Sequence, residues 1–403
     1  MECHSHTHTL HHSHRFSFVR LAPACFSRAP MPDAPTPAQP SRLTSLDALR
    51  GFDMLWITGG GALGKAIKHF GPEDHPPKIA AQFEHADWQG FHFEDLIFPL
   101  FVFIAGASLV FALTKTVAQH GRPAAVRHVL VRTLILFVIG VFYSGGFANG
   151  LANVRWLGGL QRIALAYCGA GLLFLWLKPH ALIAACVALL VGYWALLAFV
   201  PVPEFGAGDY REMHNLTNHL DHLYLPGKLY SRDHDPEGLL STLPAIASCL
   251  LGVFAGLHLR RGPSACNARW LVIAGVLLLS AGWAWSPWFP VIKKIWTSSF
   301  VLVAGGWSAI LLGTFHWLID VRGWRHWATP FVWIGMNPIT IYLVGSIVDW
   351  PKLAARLTGG DLQTSLNTAL HPGIGDLLTA LVAMGFSVLL AWFLHRRKIF
   401  LRV

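Results

Sequence analysis

Charge is scarce in this sequence. Only 13% of its residues are Asp, Glu, Lys or Arg, against about 25% in soluble domains. The few charges sit in short segments between long apolar runs. That distribution excludes an ordinary soluble domain and fits a chain that crosses a membrane many times. Acids are scarcer than bases, 21 against 31. In an apolar chain of this kind a Lys and Arg excess reports topology before it reports partners, so no nucleic-acid partner is expected. Cysteine is also sparse. Cys3, Cys25, Cys168, Cys186, Cys249 and Cys266 include no CxxC pair. A disulfide framework or zinc site is therefore not expected, and the cysteines read as small packing residues. The N-terminal segment lacks the apolar stretch of a signal peptide, and no internal repeat is evident.

That segment begins "MECHSHTHTLHHSHR". Such a tract can bind metal by composition, but Met31 followed by a Pro-rich linker reads as a natural start, so no metal is expected. Residues 1–41 are expected to be disordered, and residues 42–403 to form the membrane domain.

Apolar runs near 20 residues recur about ten times: 46–64, 94–114, 127–147, 156–177, 180–200, 238–259, 269–286, 297–319, 329–349 and 375–395. Their length and continuity suit helices rather than barrel strands. The expected fold is an all-α polytopic bundle in a lipid bilayer. The short loops with Lys115, Arg122, Lys178, Arg260, Arg261, Arg322 and Arg325 alternate with longer, mixed-charge loops. The basic loops mark the cytoplasmic side. Both termini are then cytoplasmic, and the loop 201–237 is periplasmic.

Ionisable groups inside such runs are functional candidates, because a charge at the bilayer centre costs at least about 2.5–3.5 kcal/mol on insertion scales. Asp47, Arg50 and Asp53 lie three apart in the first run, which suits either a structural ion-pair ladder or an anion site. The same run ends in Thr58, Gly59, Gly60 and Gly61, a helix end or a close backbone approach. "FEHADWQGFHFEDLIFPLFVFIAG", Phe83 to Gly106, sets His85, Glu84, Asp87, Glu94 and Asp95 at the lip of a membrane helix. Pro99 is expected to bend that helix. Histidine can take a proton at neutral pH, so the cluster reads as an acid–base site or an interfacial cap. Gln161 and Arg162 lie well inside the fourth run, and Asn337–Pro338 with Tyr342 predict a broken helix lining a cavity. Asp235, Pro236 and Glu237 read as a helix start. The long loop is rich in side chains that suit sugar hydroxyls and amines, among them Asn215, Asp221, Asp235 and Glu237.

The ordered set "RLTSLDALRGFDML", "EHADWQGFHFEDLIFPLFVFIAGASL", "LQRIALAY", "DPEGLLSTLPAI", "KKIWTSSFVL" and "GMNPITIYL" resembles the heparan-α-glucosaminide N-acetyltransferase family and its bacterial relatives, over residues 42–398. The resemblance implies a multi-pass enzyme of the bacterial inner membrane. It would take acetyl-CoA from the cytosol as co-substrate and acetylate a glucosamine-type sugar on the far side, without the large N-terminal domain of the animal enzymes. His85 in "HADWQG" matches the family's active-site histidine. Asp87 stands where the family has serine, and Thr58 where it commonly has asparagine; both are substrate-side candidates. On this reading Asp95 orients His85 and Arg162 polarises the thioester carbonyl. Arg50, Arg127, Arg132 and Arg260 hold the CoA phosphates, while Asn337 and Tyr342 border the pantetheine arm. A homodimer is an open expectation. The rival reading is a transporter of an amino sugar or another small solute.

Overall fold

The computed structural model describes residues 43–71, 77–148, 150–231, 234–357 and 361–401. The expected disordered segment 1–41, with Cys3 and Cys25, lies outside them. The described residues are all-helical and contain no strand. The long helices are α1 (Thr44–Lys68), α2 (Phe93–Tyr143), α3 (Gly159–Trp176) and α4 (Pro179–Phe199). After a short helix, α5 (Leu216–Tyr224), come α6 (Thr242–Leu259), α7 (Ala265–Trp285) and α8 (Ser298–Phe315). Two half-helices, α9 (Thr329–Met336) and α10 (Pro338–Ile347), precede two short ones, α11 (Trp350–Leu357) and α12 (Asp361–Ala369). The last is α13 (Ile374–Arg396).

Seven helices among the described residues are long and apolar enough to cross a membrane, or eight if α9 and α10 are one broken span. The expected ten exceeds this count for two reasons. The charges of α1, at Asp47, Arg50, Asp53, Lys65 and Lys68, keep it out of that set. It packs instead against α9, α13 and α2, where neighbours shield its polar groups from lipid. Second, the runs 94–114 and 127–147 are continuous in α2 and are counted once there, although α2 consists of two helical stretches that meet at Gly121.

Straight, α2 would measure about 76 Å, far more than the hydrocarbon core of about 30 Å. It breaks at Gly121, whose φ of 80° and ψ of 174° are not helical. A Cβ at Gly171 would lie 3.3 Å from Leu109 and 3.1 Å from Val129. On a straight helix those residues would be about 30 Å apart, so α2 folds back on itself at Gly121. The expected bend at Pro99 is not the break: helical backbone continues through it.

α2 and α6 meet closely. A Cβ at Gly106 would fall 1.9 Å from Cys249 O, and one at Gly252 would fall 1.9 Å from Phe103 O. Small residues on both helices allow that approach, as in other membrane bundles. Cys249 is fully buried in this seam. The break at Asn337 is present as expected: α9 and α10 meet at 74°.

Of the two readings of Thr58–Gly61, close approach holds and helix end does not, and one further local expectation is corrected. Thr58–Gly61 does not end α1, which runs on to Lys68. The glycines instead admit close neighbours: a Cβ at Gly59 would meet the Met384 side chain at 2.4 Å. Asp235-Pro236-Glu237 does not start a helix either. α6 begins at Thr242, and the triplet forms a turn in which Asp235 O accepts from Gly238 N at 3.0 Å.

Candidate active site

The first turn of α2 fixes one wall of the site. Asp95 is fully buried. Its Oδ2 accepts from two backbone amides, His92 N at 2.9 Å and Ala86 N at 3.2 Å. The first bond satisfies the amide at the N-cap of α2, and the second reaches back into the preceding loop. They also draw the 84–92 loop over the helix mouth and aim Oδ1 outward. His85 Nδ1 lies 3.1 Å from that Oδ1, and Lys293 Nζ lies 3.4 Å from it. Lys293 Nζ is also 3.0 Å from His85 Nδ1 and 3.5 Å from Glu94 O.

Lys293 is delivered by the loop between α7 and α8. Thr297 caps α8 and accepts from Ile292 N at 3.0 Å, and Gly90 N donates to Val291 O at 2.9 Å. The lysine and histidine loops are thus tied to one another. Burial pushes the Lys293 ammonium below its ordinary value, opposed by the carboxylates of Asp95 and Glu94. Asp95 Oδ1, an acceptor, and the Lys293 ammonium, a donor, both face Nδ1: the Nδ1–H tautomer bonds Asp95 and keeps the Nε2 lone pair for a substrate proton, and the Nε2–H tautomer accepts from Lys293.

The cluster borders a cavity of about 470 Å³, within the size range of small-molecule sites. Its polar wall carries His85, Glu94, Lys293, Arg155, Glu237 and Tyr342, and its apolar depth includes Met54, Ile57, Phe101 and Ile339. Arg155 pairs with Asp235 at 3.0 Å and Glu237 at 2.6 Å, and lies 4.8 Å from the Tyr230 ring centre. Tyr342 stacks on Tyr143 at 4.6 Å.

His85, Asp95, Glu237 and Tyr342 are thus brought together. The other sequence candidates lie away from the cavity lining. Arg162 is buried beside it, donating to Gly238 O at 3.1 Å and Ser241 Oγ at 2.7 Å. Its guanidinium also lies 5.2 Å from the Trp296 ring centre. In this position it holds the 238–241 turn. Asp235 holds Arg155, and Asp221 Oδ1 accepts from Leu239 N at 2.7 Å. Burial pushes the Asp221 carboxyl up to about 7. Asn215 caps α5 through Asn218 N at 3.0 Å. Thr58 donates back to Met54 O at 3.0 Å, and Asp87 is exposed.

The candidates for CoA lie elsewhere. Arg50 meets Asp47 at 3.1 Å and Gly335 O at 3.2 Å, tying α1 to α9. It is four residues, about 6 Å of helix, from Met54 in the cavity depth. Arg127 is exposed, and Arg132 lies 4.6 Å from the Tyr167 ring centre. Arg260 meets Thr114 at 3.3 Å. Asn337 is bound by the C-terminal tail: it donates to Ile399 O at 3.0 Å and accepts from Leu401 N at 2.9 Å.

The sequence reading gave no role to Lys293, Arg155 or Tyr143, and left Glu94 as a neighbour only. Lys293 was within reach, since a Lys-Lys pair just ahead of an apolar run is costly unless it has partners. Nothing local marks Arg155 or Tyr143. Among the described residues no group of three or more His, Cys, Asp or Glu is placed to hold a metal.

The family model "Heparan-alpha-glucosaminide N-acetyltransferase, catalytic" matches residues 42–280. The heparan-alpha-glucosaminide N-acetyltransferase of Homo sapiens is 28% identical over 429 residues, 91% of this chain and 60% of that protein. That of Mus musculus is 28% identical over 388 residues, 80% of this chain and 56% of that protein. The chain therefore covers less than two thirds of the length of either relative.

Proposed function

The chain belongs to the heparan-alpha-glucosaminide N-acetyltransferase family, and from that premise we propose that it moves an acetyl group from cytosolic acetyl-CoA to the amine of a glucosamine-type sugar across the bacterial inner membrane. The observation that carries this reading is the Asp95–His85 contact, 3.1 Å, with His85 on the wall of a cavity that runs into the bundle. A base at such a place can meet an amine from one face and a thioester from the other.

The orientation is read from charge. Arg260, Arg261, Arg322, Arg325, Arg396 and Arg397 lie at helix ends opposite the His85 face, and the basic end is cytoplasmic. His85 and the loop 201–237 are then periplasmic. Met54, Ile57 and Phe101 offer apolar contact for the pantetheine arm. Arg50, Arg127, Arg132 and Arg260 carry the charge that CoA phosphates require.

In the reaction, His85 Nε2 takes a proton from the sugar ammonium. The free amine attacks the thioester carbonyl carbon; the C–N bond forms, the C–S bond breaks, and the CoA sulfur takes one proton. One proton is released per turnover. Asp95 holds the imidazole orientation and balances its charge when protonated. The Lys293 ammonium, next to His85, supplies positive charge where the carbonyl oxygen becomes negative. An acetyl group carried briefly on His85 Nε2 fits the same positions.

Inside-out vesicles test the reading, with labelled acetyl-CoA outside and glucosamine trapped within. Labelled N-acetylglucosamine in the lumen is the expected product. Glucosamine leaving unmodified, with no acetylated product, would make the protein a transporter.

A further inference from the structure

Two carboxylates line the cavity, Glu94 and Glu237, and they are not equivalent. Glu237 is paired with Arg155 at 2.6 Å. Other acids at this end of the bundle also have cations: Asp95 has Lys293, Glu84 has Lys68, and Glu212 has Lys294. The Glu94 carboxylate is in no ion pair among the described residues, and its Oε2 is buried without a hydrogen-bond partner. Lys293 reaches only the Glu94 backbone oxygen, at 3.5 Å.

A buried carboxylate oxygen with nothing donating to it, on a half-buried residue that lines the cavity, requires an explanation. The fold leaves room for it: Oε2 lies 3.5 Å from where a Cβ would stand on Gly60 of α1. Two turns earlier on that helix, Asp53 is fully buried with both carboxylate oxygens unpartnered. The α1–α2 seam thus holds two acids with no ion-pair partner among the described residues. His85 and Lys293 are within electrostatic reach of Glu94, yet neither bonds its carboxylate.

We infer that Glu94 is the ammonium-recognition residue of the acceptor subsite, selecting a sugar that carries a free, protonated amine over its hydroxyl or N-acetyl counterpart. The inference rests on the acetyltransferase reading and goes beyond it in naming the group that distinguishes substrate from product. An ammonium bound at the cavity side of the Glu94 carboxylate supplies the missing ion-pair partner and stands beside His85, which takes its proton. Once the nitrogen is acylated it has no charge, and the attraction to Glu94 is lost. The same contact therefore favours substrate entry and product release.

The test is equilibrium binding of labelled glucosamine and of labelled N-acetylglucosamine to the full chain in detergent. Glu94→Gln is expected to weaken glucosamine binding roughly 10- to 100-fold, the range for a hydrogen bond to a charged group. N-acetylglucosamine binding should stay within about two-fold, and Glu94→Asp, which keeps the charge, should retain most of the glucosamine affinity. Equal losses for both sugars would make Glu94 a support of the pocket shape and overturn the inference, as would no loss for either. If the unmodified protein binds acetyl-CoA but neither sugar, the amino-sugar reading falls and the subsite with it. The two failures are thereby told apart.

Discussion

Lys293 Nζ and His85 Nδ1 lie 3.0 Å apart, and both reach the same oxygen of Asp95. Two potential cations share one buried carboxylate oxygen, whose partner oxygen is held by backbone amides. Asp95 is therefore the fixed point of the site. It holds the histidine and the lysine in register with the start of α2, and it carries the charge that makes their closeness tolerable.

His85→Ala should leave acetyl-CoA binding and the fold intact and lower turnover about 10²- to 10⁴-fold, the usual effect of a positioned acid–base group. Steady-state rates and a single turnover with labelled acetyl-CoA, without sugar, check it. Label retained on the protein and lost in the variant indicates an acetyl-histidine. A folded, fully active His85→Ala protein would remove this residue from the mechanism.

Lys293→Met should cost both stability and rate. Asp95 would lose one of its two cationic contacts, though His85 remains. Lys293 is partly exposed, with 18% of its side chain accessible. We therefore expect a loss of about 1–3 kcal/mol, below the 3–5 kcal/mol of a fully buried pair. Thermal unfolding in detergent measures the first effect and turnover the second. Lys293→Arg should restore stability more than activity, because the planar guanidinium cannot occupy the ammonium's place beside the imidazole. Wild-type values for Lys293→Met in both assays would show that the contact does not matter.

Much of this was legible in the sequence, for physical reasons that differ by residue. The Asn337–Pro338 break was legible because proline removes a backbone donor and apolar flanks on both sides show the span continuing. His85 and Asp95 were legible as a cluster because they are ten residues apart at one helix start. For Lys293 the Lys-Lys pair ahead of an apolar run signals only that partners are needed; that the partner is His85, 208 residues away, no local pattern encodes. The turn at Asp235-Pro236-Glu237 was misread as a helix start for the same reason. Its composition satisfies capping rules, but Asp235 and Glu237 both bind Arg155, and that tertiary demand prevails. The glycines of α1 read equally as a terminus or a close approach, because the Met384 and Glu94 side chains that fill the space above them are also remote in sequence.

Asp221 should make the stability of the loop between α4 and α6 depend on pH. Its folded value is raised from 3.8 to about 7 by burial. Between those values the folded state binds a proton that the unfolded chain has lost. Its contribution is therefore full below about pH 4 and is lost as pH rises through about 7. Asp221→Asn keeps an oxygen for Leu239 N but cannot titrate. The apparent melting temperature of the unmodified protein should fall between pH 5 and pH 8 by more than that of the variant. Parallel profiles would mean that Asp221 does not govern the trend.

The last prediction concerns the opposite end of the bundle, where the CoA phosphates are proposed to bind. The four arginines offered for that role differ in what they already hold. Arg50 is engaged with Asp47 and Gly335 O, so Arg50→Ala should loosen the α1–α9 contact as well as affect the ligand. Arg132 lies against Tyr167. Arg127 is exposed, and Arg260 makes one 3.3 Å bond to Thr114; both can turn to a phosphate at little cost to the fold. Arg127→Ala and Arg260→Ala should therefore each weaken acetyl-CoA roughly 10- to 100-fold, the range for a lost charge-assisted hydrogen bond. They should leave acetyl-pantetheine, which has no phosphates, within about two-fold, and melting temperatures near that of the unmodified protein. Arg50→Ala should weaken both ligands and lower the melting temperature. Binding of the two ligands to each variant, measured beside thermal unfolding, separates phosphate recognition from helix packing. Equal losses for acetyl-CoA and acetyl-pantetheine in Arg127→Ala and Arg260→Ala would remove both residues from the phosphate site.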